Sequence, residues 1–427
     1  MRIASIAFGS RGDVQPALAL GMGLQDRGHQ VRMVVGADFP EEARKCGLEA
    51  SAATVDFQEM LSSELGRKMF DAGNGATLLT FIRTMKRIFE LNGPALMDGV
   101  YRACTEFGAE AVIGSYTSDF YAMAVAEKLG IPYISTTLQP APLATRSGSA
   151  ALSTLMPHRE SLVNLAFHKA MVEPFVWRIM KDPVNRFRRD VLGLPARRNR
   201  DVQQAMRRTP ILNGYSRHLV PQPADWPATV HTTGFWLLES DLGFAAPSEL
   251  LKFLDDGEPP VFISFGSTTT QDSAALTRLL VDAVAISGRR AIIQSGWANL
   301  GDTDLPDHIH RLTSYVPYRE LFGHVAAVVH HSGAGTTSWV LHAGVPSVAI
   351  PHAGDQPFWA ARAAALGAGP RPVPAGKLTA DNLAQAIRRA TGDSSMRERA
   401  AELGVKIRAE DGIGTAVELI EKYLSQM

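Results

Sequence analysis

Cysteine is nearly missing: the 427 residues include two, Cys46 and Cys104. Two such residues provide neither a disulfide framework nor a zinc spacing, so the fold rests on packed cores and a reducing, cytoplasmic compartment is expected. An excess of one charge is missing too. Lys plus Arg and Asp plus Glu number 43 each, which removes the field that draws a protein to nucleic acid or to an acidic membrane. Long apolar runs are also lacking. The first, Ile3 to Phe8, is too short for a leader peptide or a spanning helix, and no later segment is suited to crossing a bilayer. A soluble protein with no nucleic-acid partner and no integral membrane contact is expected. The chain has no Gly-x-Ser-x-Gly elbow for a serine hydrolase and no Gly-x-Gly-x-x-Gly dinucleotide fingerprint. It has no His/Cys/Asp cluster with metal spacing, so neither a cofactor nor a metal is expected.

What is present is an alternation of apolar strands and amphipathic helices, on a chain long enough for two domains. Ile3 to Phe8, Val31 to Val35, Ala111 to Gly114 and Ile131 to Ser135 read as strands, with helices over Gln15 to Arg27 and Asp119 to Leu129. This pattern requires an α/β fold with parallel sheets. It restarts at Val261 to Phe265, Ala274 to Ser287 and Ala291 to Gln294. A first domain over 1–234, a linker over 235–248 and a second domain over 249–427 follow, the last helix being free to pack back on the first. Two stretches, about 57 to 101 and 138 to 208, interrupt the rhythm as insertions suited to lining a substrate cleft. The arginines between Arg178 and Arg200 read as a solvated face.

The most informative stretch is His330-His331-Ser332-Gly333-Ala334-Gly335-Thr336-Thr337. The run Val325 to Val329 leads into it and a helical pattern leaves it. Strand, glycine turn and helix start together present unpaired backbone N–H groups and a partial positive charge to an anion. Thr336 and Thr337 add hydroxyls, and His331 adds a donor or a charge. A second candidate is the loop Gly9-Ser10-Arg11-Gly12-Asp13 after the first strand, where Asp13 suits either a helix N-cap or a proton acceptor. A third is Asp355-Gln356, placed to meet sugar hydroxyls or to cap the helix beginning near Pro357.

On these residues the chain resembles the inverting nucleotide-sugar glycosyltransferases of the GT-B class, which have two Rossmann-like domains facing across a cleft. It is most similar to bacterial antibiotic glycosyltransferases and sterol 3-beta-glucosyltransferases. The resemblance is carried by Gly9 to Pro16, Gly28-His29, Gly234-Phe235-Trp236, Phe265-Gly266-Ser267, Ser295-Gly296-Trp297, the His-x-Gly-x-Gly-Thr-Thr run and Gly354 to Trp359. It spans nearly the whole chain but leaves both insertions without a motif, so the acceptor-binding residues are unknown.

The resemblance implies that Asp13 is the general base and works alone, because Ser115 stands where plant members keep a second acid and Asp119 lies beyond it. It implies donor contacts from Ser10, Arg11, Gly12, Ser267, His331, Gly333, Ala334, Gly335, Thr336 and Thr337. Val316 with a ring from Tyr315 or Trp297 is expected at the base, and Asp355 with Gln356 at the sugar. The implied reaction moves a hexose, glucose from UDP-glucose first, onto a hydroxyl of a lipophilic acceptor such as a sterol, polyketide, macrolide or flavonoid. A TDP-deoxysugar donor remains open, as do an epimerase or hydrolase on the same scaffold and a non-enzymatic nucleotide-sugar binder.

Overall fold

The computed structural model describes the chain except residues 54, 65–77, 149–159, 240–245, 267–271, 297–299, 303, 315 and 427, and the side chains of 61, 62 and 78–81. The chain divides into two compact units. The first holds the described residues up to Leu238 and takes in the chain again from Glu410; the second holds Glu239–Ala409.

Seven strands build the sheet of the first unit: β1 (Arg2–Ala7), β2 (Gln30–Val35), β3 (Glu49–Ala52), β4 (Ala111–Ser115), β5 (Tyr133–Thr137), β6 (Ile211–Asn213) and β7 (Val230–Thr232). Their order is β3-β2-β1-β4-β5-β6-β7 and every pairing is parallel. Ile3 stands opposite both Val31 and Ala111. Successive side chains of β1 go to opposite faces, as the pleat dictates. Ile3 and Ala7 join a core with Val14, Leu18 and Leu24 of the helix Arg11–Asp26. Ala4, Ile6 and Phe8 join another with Val100, Tyr121 and Trp177.

The second unit repeats the plan with β8 (Val261–Ser264), β9 (Ala291–Gln294), β10 (Ile309–Leu312), β11 (Ala327–His330) and β12 (Ser347–Ala349). The order is β10-β9-β8-β11-β12, again parallel throughout. β8 and β11 are buried along their whole length, which is why they read as continuous apolar runs rather than alternating ones. In each sheet the strand order reverses once, between β1 and β4 in the first and between β8 and β11 in the second. Open parallel sheets bind ligands outside the carboxyl ends of the strands at such a reversal.

Two local differences from the sequence reading, and one alternative it left open, have physical causes. The first helix begins at Arg11, not near Gln15, because Asp13 accepts the N–H and the hydroxyl of Ser10, the N-cap residue, which draws Arg11 and Gly12 into the first turn. The helix Gly412–Leu424 lies with the first unit, burying Ala416, Val417 and Ile420 in the same core as Leu18 and Leu24. The indole of Trp236 donates to Thr233 Oγ1 at 3.0 Å and to the Gly412 carbonyl at 3.2 Å, fixing that return. The arginine stretch is not uniformly a solvated face. Arg188 is 2% exposed and donates to both carboxylate oxygens of Glu127, at 2.8 and 3.1 Å, and to the Pro195 carbonyl at 2.8 Å. A fork matching a carboxylate makes that burial tolerable.

Removing the carboxylate leaves a buried guanidinium without its counter-charge. Glu127→Ala is therefore expected to cost about 3–5 kcal/mol of unfolding free energy. Arg178→Ala, at an exposed position of the same stretch, is expected to stay within about 0.5 kcal/mol. Urea unfolding followed by circular dichroism measures both.

Candidate active site

The candidate residues fall in two groups, one in each unit. In the first, β1 ends at Ala7 and the chain turns through Gly9, whose φ of +136° suits glycine and whose missing Cβ leaves the space that the Asp13 carboxylate fills. Asp13 Oδ2 accepts the Ser10 backbone N–H at 2.8 Å and the Ser10 hydroxyl at 3.0 Å. Asp13 is thus the third helical residue, not the N-cap. The protein mass around it pushes its carboxyl above the ordinary value, against the lowering effect of both Ser10 bonds. The residue itself is open to solvent, and water at that face moderates the rise. Arg11 turns to Glu42 at 3.3 Å, and Gly12 lies between the two.

Across the reversal point, the β4 end is tied to β1 by Thr117, whose hydroxyl donates to the Phe8 carbonyl at 3.2 Å. Asp119 is buried there and turned to β5, accepting Tyr133 Oη–H at 2.5 Å and Ser135 Oγ–H at 3.0 Å. Burial, opposed by those two bonds, pushes its carboxyl up to about 7. Among its recorded bonds none reaches Asp13. Beside it, Tyr116, Phe120, Pro142, Val176 and Met206, together with Asp119, Glu173 and Gln203, line a recess of about 10 Å³, room for one water. Phe120, Met123, Trp177 and Val184, with Arg188 and Arg197, line another of about 10 Å³. Their walls come largely from the insertion that carried no motif.

In the second unit, β11 ends at His330 and the helix Ala334–Ala343 begins after Gly333. The first bond of this turn of helix runs from Thr337 N–H to the Gly333 carbonyl at 3.0 Å. The N–H groups of Ala334, Gly335 and Thr336 therefore have no acceptor within the helix. His330, which opened the singled-out stretch without a role of its own, builds the turn. Its Nδ1 accepts the Ser332 N–H at 3.2 Å, which leaves Nε2–H to donate to Ser347 Oγ at 2.8 Å. Ser332 has a φ of +65°, the single non-glycine residue with positive φ among those described. Such a backbone costs on the order of 1–3 kcal/mol.

Three buried polar atoms in this turn, His331 Nδ1, Ser332 Oγ and Thr337 Oγ1, have no partner among the described residues. Leaving a buried group unsatisfied costs about 1–3 kcal/mol each. Buried polar atoms of this kind take a polar partner, which an ordered water or a bound polar ligand supplies. Gly266, after β8, has a φ of +55° and faces the His331 ring, where a Cβ would come within 3.1 Å of Cε1. Burial, and then the neighbouring His352, hold the His331 imidazole down at about 3. Burial, and then His331, do the same to His330.

The loop after β12 brings Asp355 and Gln356 to the same sheet edge. Gln356 Oε1 accepts the N–H groups of His352 and Ala353 at 2.8 and 3.2 Å, so its amide N–H groups are what it offers a ligand. Asp355 Oδ2 accepts the Trp359 indole N–H at 2.8 Å instead of capping the helix. Val316 is buried between β10 and the helix Tyr318–Leu321. Ser267, Trp297 and Tyr315 lie outside the described residues. Among the described residues no group of three or more His, Cys, Asp or Glu could hold a metal ion, and no helix is long and apolar enough to cross a membrane.

Both halves of the chain match known families. Residues 3–145 match the glycosyltransferase family 28 N-terminal domain, and residues 279–417 match the C-terminal domain of erythromycin biosynthesis protein CIII-like proteins. A sterol 3-beta-glucosyltransferase of Aspergillus fumigatus is 32% identical over 99% of this chain, which spans 30% of that protein's length. One of Arabidopsis thaliana is 30% identical over 99% of this chain and is spanned over 68% of its own length. The chain belongs to the glycosyltransferase family of these enzymes. Its fold is GT-B: the calicheamicin glycosyltransferase CalG4 superposes with a TM-score of 0.72 at 19% identity, covering 100% of this chain and 98% of that one. The named sequence relatives of this glycosyltransferase-family chain are fungal and plant proteins, while antibiotic-biosynthesis proteins enter through the C-terminal family match and through the fold.

The two depressed imidazoles give the second unit a defined pH response. A histidine that titrates near 3 when folded and near 6.5 when unfolded leaves the unfolded state holding more protons between those values. Stability is therefore complete above about pH 6.5 and is lost as pH falls toward about 3, by up to about 1.4 kcal/mol per pH unit for each ring. In denaturant melts from pH 7 to 4, His330→Asn is expected to flatten the slope relative to wild type. Parallel slopes would contradict the assignment.

Proposed function

We propose that the chain is an inverting glycosyltransferase that moves a hexose, glucose from UDP-glucose first, onto a hydroxyl of a lipophilic small molecule. The observation that carries this reading is the turn at the end of β11, where orphaned polar atoms and a helix start converge at the sheet's reversal point. The names of the sequence relatives support a sterol as the first acceptor to try.

In the proposed reaction Asp13 takes the proton of the acceptor hydroxyl as that oxygen attacks the anomeric carbon on the face opposite the diphosphate. The new bond forms as the bond to the diphosphate breaks, and configuration inverts without a covalent intermediate. A carboxyl held above its ordinary value is a stronger base than a free aspartate. Charge develops on the leaving diphosphate, where the N–H groups of Ala334, Gly335 and Thr336 and the His331 imidazole stabilise it. Ser10, Gly12 and Ser267 assist at the phosphates, Val316 with Tyr315 or Trp297 holds the base, and Asp355 and Gln356 hold the sugar. Compensation of the diphosphate charge is assigned to these groups, so turnover is expected to survive a chelator.

The test is mass-spectrometric detection of product from UDP-glucose or TDP-glucose and a panel of sterols and other hydroxylated lipophilic aglycones. A gain of one hexose is expected. Asp13→Asn is expected to lower turnover by about 10²–10⁴ while donor affinity stays within a few fold. His331→Ala is expected to lower it by about 10²–10³. Conversion of the nucleotide sugar with no acceptor product would favour an epimerase or hydrolase, and donor binding unaffected by either variant and without turnover would favour a binder.

A further inference from the structure

His352 follows β12 at the carboxyl edge of the second sheet. It is the group whose charge bears on His331, and its ring packs edge-on against Phe265 at the end of β8, 5.7 Å between centroids at 72°. The residue therefore sits among the three strand ends that carry the anion-binding turn. Its Nδ1 lies 3.0 Å from the Ile350 carbonyl. A carbonyl only accepts, so Nδ1 carries the proton and the neutral ring presents a lone pair on Nε2. Burial holds the imidazole below its ordinary value, against the bond to Ile350, and the ring is neutral at pH 7. It is half-buried, and among the described residues nothing donates to Nε2.

A lone pair at this place selects its partner. Phosphate oxygens are acceptors and repel it, whereas a hydroxyl donates to it. In a nucleoside diphosphate sugar the hydroxyls nearest the diphosphate on the far side from the nucleoside belong to the sugar. Gln356 in the same loop has its oxygen bound to the His352 and Ala353 N–H groups and offers N–H groups of its own, so one short loop carries both an acceptor and a donor. A sugar hydroxyl, which both donates and accepts, or a vicinal pair of hydroxyls, satisfies both. We propose that His352 Nε2 accepts a hydrogen bond from a hydroxyl of the donor sugar and is a specificity-determining residue for that sugar. The inference rests on the reading of this loop as part of a nucleotide-sugar site.

Two substitutions separate this role from a structural one. In His352→Asn the amide nitrogen replaces Nδ1 and keeps the bond to Ile350, but nothing replaces Nε2. In His352→Gln the amide oxygen reaches the place of Nε2, while the bond to Ile350 is lost. Calorimetry would compare UDP-glucose with UDP, and TDP-glucose with TDP, on wild type and both variants. His352→Asn is expected to weaken the nucleotide sugar about tenfold and to leave the bare nucleoside diphosphate within twofold, with His352→Gln restoring most of the loss. The inference is overturned if His352→Asn binds the sugar donor like wild type, or if it weakens UDP and UDP-glucose equally. A result in which His352→Gln is the impaired variant and His352→Asn is not would assign the residue to loop anchoring instead. If wild type binds none of the four nucleotides, it is the underlying nucleotide-sugar reading that fails.

Discussion

All pairings in both sheets are parallel, so within each sheet the carboxyl ends of the strands, and the helix starts that follow them, share one edge. Helix starts carry unsatisfied N–H groups and partial positive charge, so a parallel sheet concentrates anion-binding capacity where its strand order reverses. The residues proposed to carry chemistry in this chain sit at those two places. Asp13 follows β1, the central strand of the first reversal, and His331 to Thr337 follow β11, which borders the second.

At the second place the turn gives up local stability, which is consistent with the binding role proposed for it. His330 bridges Ser347 and the Ser332 N–H, and that bridge holds Ser332 in a left-handed backbone that a serine does not favour. The strained turn then presents three buried polar atoms and three N–H groups together. A chain selected for stability alone would place glycine at 332 and pair those atoms. The first site is simpler: Ser10 caps the helix and at the same time orients the Asp13 carboxylate.

Much of this was legible in the amino-acid order because buried parallel strands are continuous apolar runs and their ends are punctuated by glycine. Thus β1, β8 and β11 were placed within two residues, and the loops after them were singled out. What escaped reading depends on partners far along the chain. Arg188 looked like one more surface arginine because its counter-charge, Glu127, lies 61 residues away. His330 opened the singled-out stretch but had no role of its own there, since nothing local reveals Ser347. His352 precedes a readable Gly-Asp-Gln, yet only the fold brings it beside Phe265 and His331. The return of the Gly412–Leu424 helix to the first unit was an open alternative because its apolar face would fit either core.

The central claim is that the turn after β11 receives the diphosphate of a nucleotide sugar. Hydrogen–deuterium exchange of the backbone amides tests it most directly, with UDP-glucose or TDP-glucose added and free glucose as the control. Slower exchange concentrated at His331 to Thr337 with the nucleotide sugar, and none with glucose, is the result this account predicts. Tight binding with exchange at that turn unchanged would contradict it.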